Sequence, residues 1–101
     1  MKRRPADEDD LEDAITALAA ALASLKTARQ VRAFLEDLCT PAELEALGDR
    51  WKVVPHLLEG QPYREIHDLT QVSVTTIGRV ARTLNLGAGG YAEAMRLRNK
   101  R

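Results

Sequence analysis

Leucine and isoleucine recur at Leu11, Ile15, Leu18, Leu22 and Leu25, at steps of four, three, four and three. That is the period of an α-helix with one narrow apolar seam, filled between by alanines. Asp9 or Asp10 is placed to cap it, and an acidic first turn suits the positive end of the helix dipole. Such a seam has to be buried. The chain carrying it has 101 residues, a length at which one core is lean, so a second copy is a natural cover. Ahead of the seam, residues 1–8 are polar and charged around Pro5 and read as a disordered arm.

The same periodicity continues downstream. A second helix is expected from about Thr27, with Val31, Phe34, Leu35 and Leu38 on one face. Thr40-Pro41-Ala42-Glu43 then combines a capping threonine, proline at the first helical position and glutamate three residues after the cap. The helix it opens presents Leu44, Leu47, Trp51, Val54 and Leu58 as a stripe and closes at Gly60. Pro55 interrupts it and predicts a bend or a break. Tyr63–Thr70 is a short helix expected to place Ile66 and Leu69 inward. Ser73 caps another, whose apolar face is Ile77, Val80, Ala81 and Leu84. Leu86–Gly90 reads as loop and Tyr91–Leu97 as a last turn or two of helix. The whole is all-α: one domain over residues 9–97 with a basic tail at 98–101.

Several function classes are set aside by what the chain lacks. No apolar run is long enough to span a bilayer, and the basic start is followed by acidic residues, so neither a membrane partner nor export is expected; the reading is cytoplasmic. Cys39 stands alone, as a half-buried cysteine at a helix boundary. His56 and His67 have no ligand at metal spacing, and no nucleophile–base pair or phosphate loop is present. No metal, cofactor or catalytic activity is therefore expected. The formal net charge is zero, but it is unevenly spread. Residues 1–59 hold 8 basic and 12 acidic side chains, net −4; residues 60–101 hold 7 and 3, net +4. Attraction to phosphate follows the local field rather than the total.

Two short helices joined by a three- to four-residue turn, about residues 63–85, have the form of a helix-turn-helix. Ile66, Thr70, Val72, Ile77 and Val80 fall at its buried positions, leaving Val74, Thr75, Gly78, Arg79 and Arg82 outward. Small side chains permit close approach to a groove, Thr and Val meet thymine methyls, and arginine reaches guanine or phosphate. With Arg64, Ser73 and Thr76, these are the candidate DNA-binding residues. The turn carries Gln71 where glycine is usual, which predicts a left-handed backbone at a residue less suited to it.

Thr40-Pro41-Ala42-Glu43-Leu44-Glu45-Ala46-Leu47-Gly48-Asp49-Arg50 resembles the T-P-x-E-x-x-A-L-x-x-R segment of the Trp-repressor superfamily. Glu65-Ile66 and Ser73–Val80 resemble its helix-turn-helix, and Leu84–Tyr91 is similar to the ending of the TrpR-like YerC/YecD branch. The resemblance implies a Trp-repressor-like helical bundle, an intertwined homodimer acting on double-stranded DNA as a sequence-specific regulator, most simply a repressor. Leu11, Ile15, Leu18, Leu22, Leu25, Phe34, Leu35 and Trp51 would then form the dimer interface. It also implies a small-molecule effector pocket at Thr40, Arg50, Arg79 and Thr83. Val80, where the tryptophan repressor has glycine, argues against tryptophan itself. The alternative is a non-catalytic protein-interaction or architectural module on the same scaffold.

Overall fold

Helix-favouring stretches punctuated by proline and glycine fold as the spacing requires. The computed structural model describes residues 5–100. They form α1 (Pro5–Ser24), α2 (Ala28–Leu38), α3 (Pro41–Leu58), α4 (Tyr63–Thr70), α5 (Val74–Leu86) and α6 (Gly90–Asn99). No strand occurs among the described residues. Where the sequence predicts one domain over residues 9–97, the chain divides into two compact units, residues 1–40 and 41–101.

In the first unit α1 starts at Pro5, ahead of the expected Asp9 or Asp10. Proline is at home in a first helical turn, where its missing N–H has no partner to lose, and Asp7 and Glu8 follow in that turn. The arm expected over residues 1–8 thus gives Pro5–Glu8 to the helix, and residues 1–4 lie outside the described residues. Thr27 caps α2 through a reciprocal box. The Gln30 N–H donates to Thr27 Oγ1 at 3.1 Å, while Gln30 Oε1 accepts from the N–H groups of Thr27 (3.2 Å) and Lys26 (2.7 Å). Leu11 and Ile15 are exposed, and Leu18, Leu22, Leu25, Val31, Phe34 and Leu35 are half-buried. None of residues 7–40 is fully buried.

The second unit holds the core. Val53 and Val54 of α3, Ile66 of α4, Val72 in the turn, and Ile77 and Val80 of α5 are withdrawn from water, with Leu57, Leu84, Tyr91 and Met95 packed around them. Helix α3 packs on α4, α5 and α6, and α4 on α5. The ring of Trp51 stacks on that of Tyr91, with centroids 6.5 Å apart. Helix α3 runs unbroken through Pro55, a residue with no N–H to offer the preceding turn. It ends in a Schellman motif: Gly60, at φ 77°, donates to the Leu57 carbonyl, and Gln61 to that of His56. Gly87 is the C-cap of α5, in a geometry where a Cβ would lie 2.6 Å from the Thr83 carbonyl oxygen.

Three expectations shift. The buried arc of α3 is centred on Val53, Val54 and Leu57, so the stripe expected at Leu44, Leu47, Trp51, Val54 and Leu58 meets the core only at Val54. Trp51 and Leu58 remain 37% and 52% exposed. In α4 the inward arc runs through Ile66, His67 and Thr70, which turns Leu69 outward at 60% exposure. A helix advances about 100° per residue; Leu69 is therefore rotated roughly 100° from the centre of that arc. Finally, α6 continues to Asn99, so the expected tail at 98–101 begins as helix, and Arg101 lies outside the described residues.

Truncating a wholly buried isoleucine leaves a cavity that a core this small has little room to collapse into. Ile77→Ala is expected to lower unfolding free energy by about 2–5 kcal/mol, measured by urea denaturation, whereas Leu69→Ala should change it by less than about 0.5 kcal/mol.

Candidate nucleic-acid interface

The site is built from the turn outward. Gln71 takes the left-handed conformation expected of it, φ 64° and ψ 10°, and its N–H donates to the His67 carbonyl at 2.7 Å. Its side-chain amide donates to the Asp68 carbonyl at 3.1 Å. Two residues on, Ser73 caps α5: the Thr76 N–H donates to Ser73 Oγ at 3.1 Å, and the Ser73 hydroxyl donates to Thr76 Oγ1 at 3.0 Å. A serine at this position ties down one of the free donors of the helix start.

From that start α5 presents an outer face. Thr75, Arg79 and Arg82 are exposed along it, and Val74 stands half out at its first turn. Arg64 is exposed on α4. None of the three arginines is ion-paired with a carboxylate among the described residues. Thr76 is half-buried and engaged in the cap, so it belongs to the frame rather than to the outer face. Gly78 is also half-buried: a Cβ there would lie 3.7 Å from Tyr63 Cε2, on the flank of α5 that faces α4. Two exposed groups were not singled out from the sequence. They are Tyr63 at the head of α4 and Leu86, 80% exposed at the end of α5. The pairing of Tyr63 with Gly78 had no local signal, because the residues belong to different helices.

The residues matched to an effector pocket are less gathered. Arg50 is half-buried on α3, and Arg79 and Thr83 are exposed on α5. The Thr83 hydroxyl donates to the Arg79 carbonyl at 3.1 Å, a bond internal to the helix. A cavity of about 320 Å³ does open beside Thr83, but Leu84, Ala88, Gly89, Gly90, Tyr91 and Ala92 complete its lining, without Arg50 or Arg79. Thr40 directly precedes α3. Among the described residues no group of three or more His, Cys, Asp or Glu side chains could hold a metal ion. Nor is any of their helices long and apolar enough to cross a membrane.

The family model for the Trp repressor protein matches residues 13–99. The chain belongs to the Trp repressor family. It is 40% identical over 72 residues to YerC of Bacillus subtilis (strain 168), spanning 71% of this chain and 69% of YerC. The solved structure of a TrpR-like protein from Eubacterium eligens ATCC 27750 superposes with a TM-score of 0.78 at 37% identity, over 88% of this chain and 93% of that one. A second solved structure, from Staphylococcus aureus, matches with a TM-score of 0.70 at 31% identity, over 95% and 89% of the two chains. Together they place the chain on the TrpR-like branch that includes YerC, within a family of DNA-binding transcription regulators.

Because the space above Gly78 accepts a methyl at ordinary contact distance, Gly78→Ala should remove a flexible residue from α5 at no steric cost. The expected gain is about 0.5–1 kcal/mol, read as a higher midpoint in thermal unfolding.

Proposed function

We propose that this protein is a sequence-specific transcriptional regulator, acting as a repressor, that places α5 in the major groove of double-stranded DNA. The observation carrying this reading is the outer face of α5: Thr75, Arg79 and Arg82 project from a helix whose opposite side is anchored by Ile77 and Val80. Arginine can form paired hydrogen bonds to guanine, threonine meets a base edge or a methyl, and a capped helix start suits approach to phosphate. Arg64, Ser73 and Val74 border that face. Thr76 and Gly78 act through the helix frame.

The same reading makes the protein a homodimer. Leu11 and Ile15 of α1, and Leu47, Trp51 and Leu58 of α3, remain exposed in the single chain, and a second copy would cover them. The expected single domain over residues 9–97 would then be a property of the dimer, with two copies of α5 about 34 Å apart, one turn of DNA. The basic residues at the end of α6 would add phosphate contacts. An effector, if one acts through Thr40, Arg50, Arg79 and Thr83, is not tryptophan in this reading, because the Val80 side chain is already packed in the core. The exposure of Leu86 and Leu69 favours, as the second reading, a protein-binding surface on the same scaffold.

Selection from random duplex DNA, followed by sequencing, should enrich a palindrome with half-sites one helical turn apart. Arg79→Ala should weaken binding to the selected duplex by about 1–3 kcal/mol. Wild-type affinity should fall with log salt at a slope of about −0.9 per phosphate contact. An Arg79→Ala protein with undiminished affinity, or a pool with no enriched sequence, would turn the assignment to the protein-binding surface. Ile15→Asp should convert a dimer to a monomer in sedimentation velocity while leaving the helical circular dichroism of the second unit in place.

A further inference from the structure

Glycine suits the left-handed position of a turn because no Cβ opposes it, and this chain has Gln71 there instead. The backbone that follows is held by side chains from α4. The Val72 N–H donates to Thr70 Oγ1 at 3.2 Å, and that hydroxyl donates to the Ile66 carbonyl at 2.7 Å. The Val72 carbonyl lies 2.8 Å from His67 Nδ1. A carbonyl oxygen can only accept, so Nδ1 bears a hydrogen and is the donor. Both polar backbone groups of Val72 are thus taken by side chains two and five residues back, while its own side chain is 3% exposed in the core. Ser73, the next residue, caps α5.

We propose that His67 is a positioning residue for α5, its Nδ1–H bond to the Val72 carbonyl fixing the direction in which that helix leaves the turn. The proposal rests on the reading of α5 as the DNA-contacting helix. A helix moves as a rigid rod, so a shift of Val72 is passed through Ser73 to Thr75, Arg79 and Arg82 together. His67 and Thr70 in this way supply from α4 the constraint that a glycine-centred turn would build into its own backbone. His67 sits on the inner flank of α4, half-buried, and need not touch DNA to affect how it is read.

Asparagine and glutamine separate the hydrogen bond from the bulk of the ring, because the Asn amide nitrogen falls near the place of Nδ1 and that of Gln near Nε2. Two readouts are needed on the full chain: hydrogen exchange at the Thr76 and Ile77 amides, which bond to Ser73, and the affinity ratio for a selected duplex over a random duplex of equal length. His67→Ala should speed that exchange about five- to tenfold and cut the ratio by a similar factor, the size expected for one net hydrogen bond. His67→Asn should restore both, and His67→Gln neither. Wild-type exchange and ratio in His67→Ala, or His67→Asn behaving as His67→Ala does, would overturn the proposal. If His67→Ala does not fold, the Asn and Gln variants carry the comparison. If the wild-type chain prefers no duplex, the DNA reading fails, and the exchange arm still decides whether His67 holds the turn.

Discussion

Ile66 and Ile77 meet in a core that also takes in Val53, Val54, Val72 and Val80, and the exposed side of α5 owes its placement to that packing. Every member is aliphatic, and no side chain among the buried residues needs a polar partner. Full burial of a Val or Ile side chain is worth about 1.5–3 kcal/mol, and the cluster draws on α3, α4, the turn and α5 at once. Loss of one member therefore loosens the frame of the whole basic face.

Polar groups finish what the core begins. Along the path from α4 to α5, the hydroxyl of Thr70, the ring of His67 and the cap of Ser73 hold successive backbone groups. Arg64, Arg79 and Arg82 are left for solvent or a partner, unlike Arg32 and Arg96, which pair with Glu36 and Glu93 on their own helices. The zero net charge of the chain concealed this division, since a neutral sum says nothing of which arginines already have a carboxylate beside them.

Helix ends were the most legible feature, because a cap is a local agreement among three or four residues. Thr27, Pro41, Ser73 and Gly60 each mark a boundary that the structure keeps. Pro5 escaped because the acidic run drew the helix start to Asp9 or Asp10, although a first-turn proline is itself a start signal. Buried faces were less legible. Two apolar arcs lie side by side on α3, and periodicity could not say which one the second unit would bury. It buries Val53 and Val54 and half-covers Leu57, leaving Trp51 and Leu58 37% and 52% exposed. Helix α4, with eight residues, is too short for periodicity to locate its inner face. Leu69 therefore read inward although Thr70 takes that side.

By itself the sequence determined an all-helical chain, the positions of its turns, and the outward placement of Thr75, Arg79 and Arg82 on α5. These follow from short-range rules of capping, period and proline or glycine geometry. Only the tertiary structure decided that Gly78 faces the ring of Tyr63, that Trp51 stacks on Tyr91, and that His67 reaches the Val72 carbonyl. Each of these depends on how helices cross or how a turn folds back. Side chains brought together in that way leave no periodic trace along the chain.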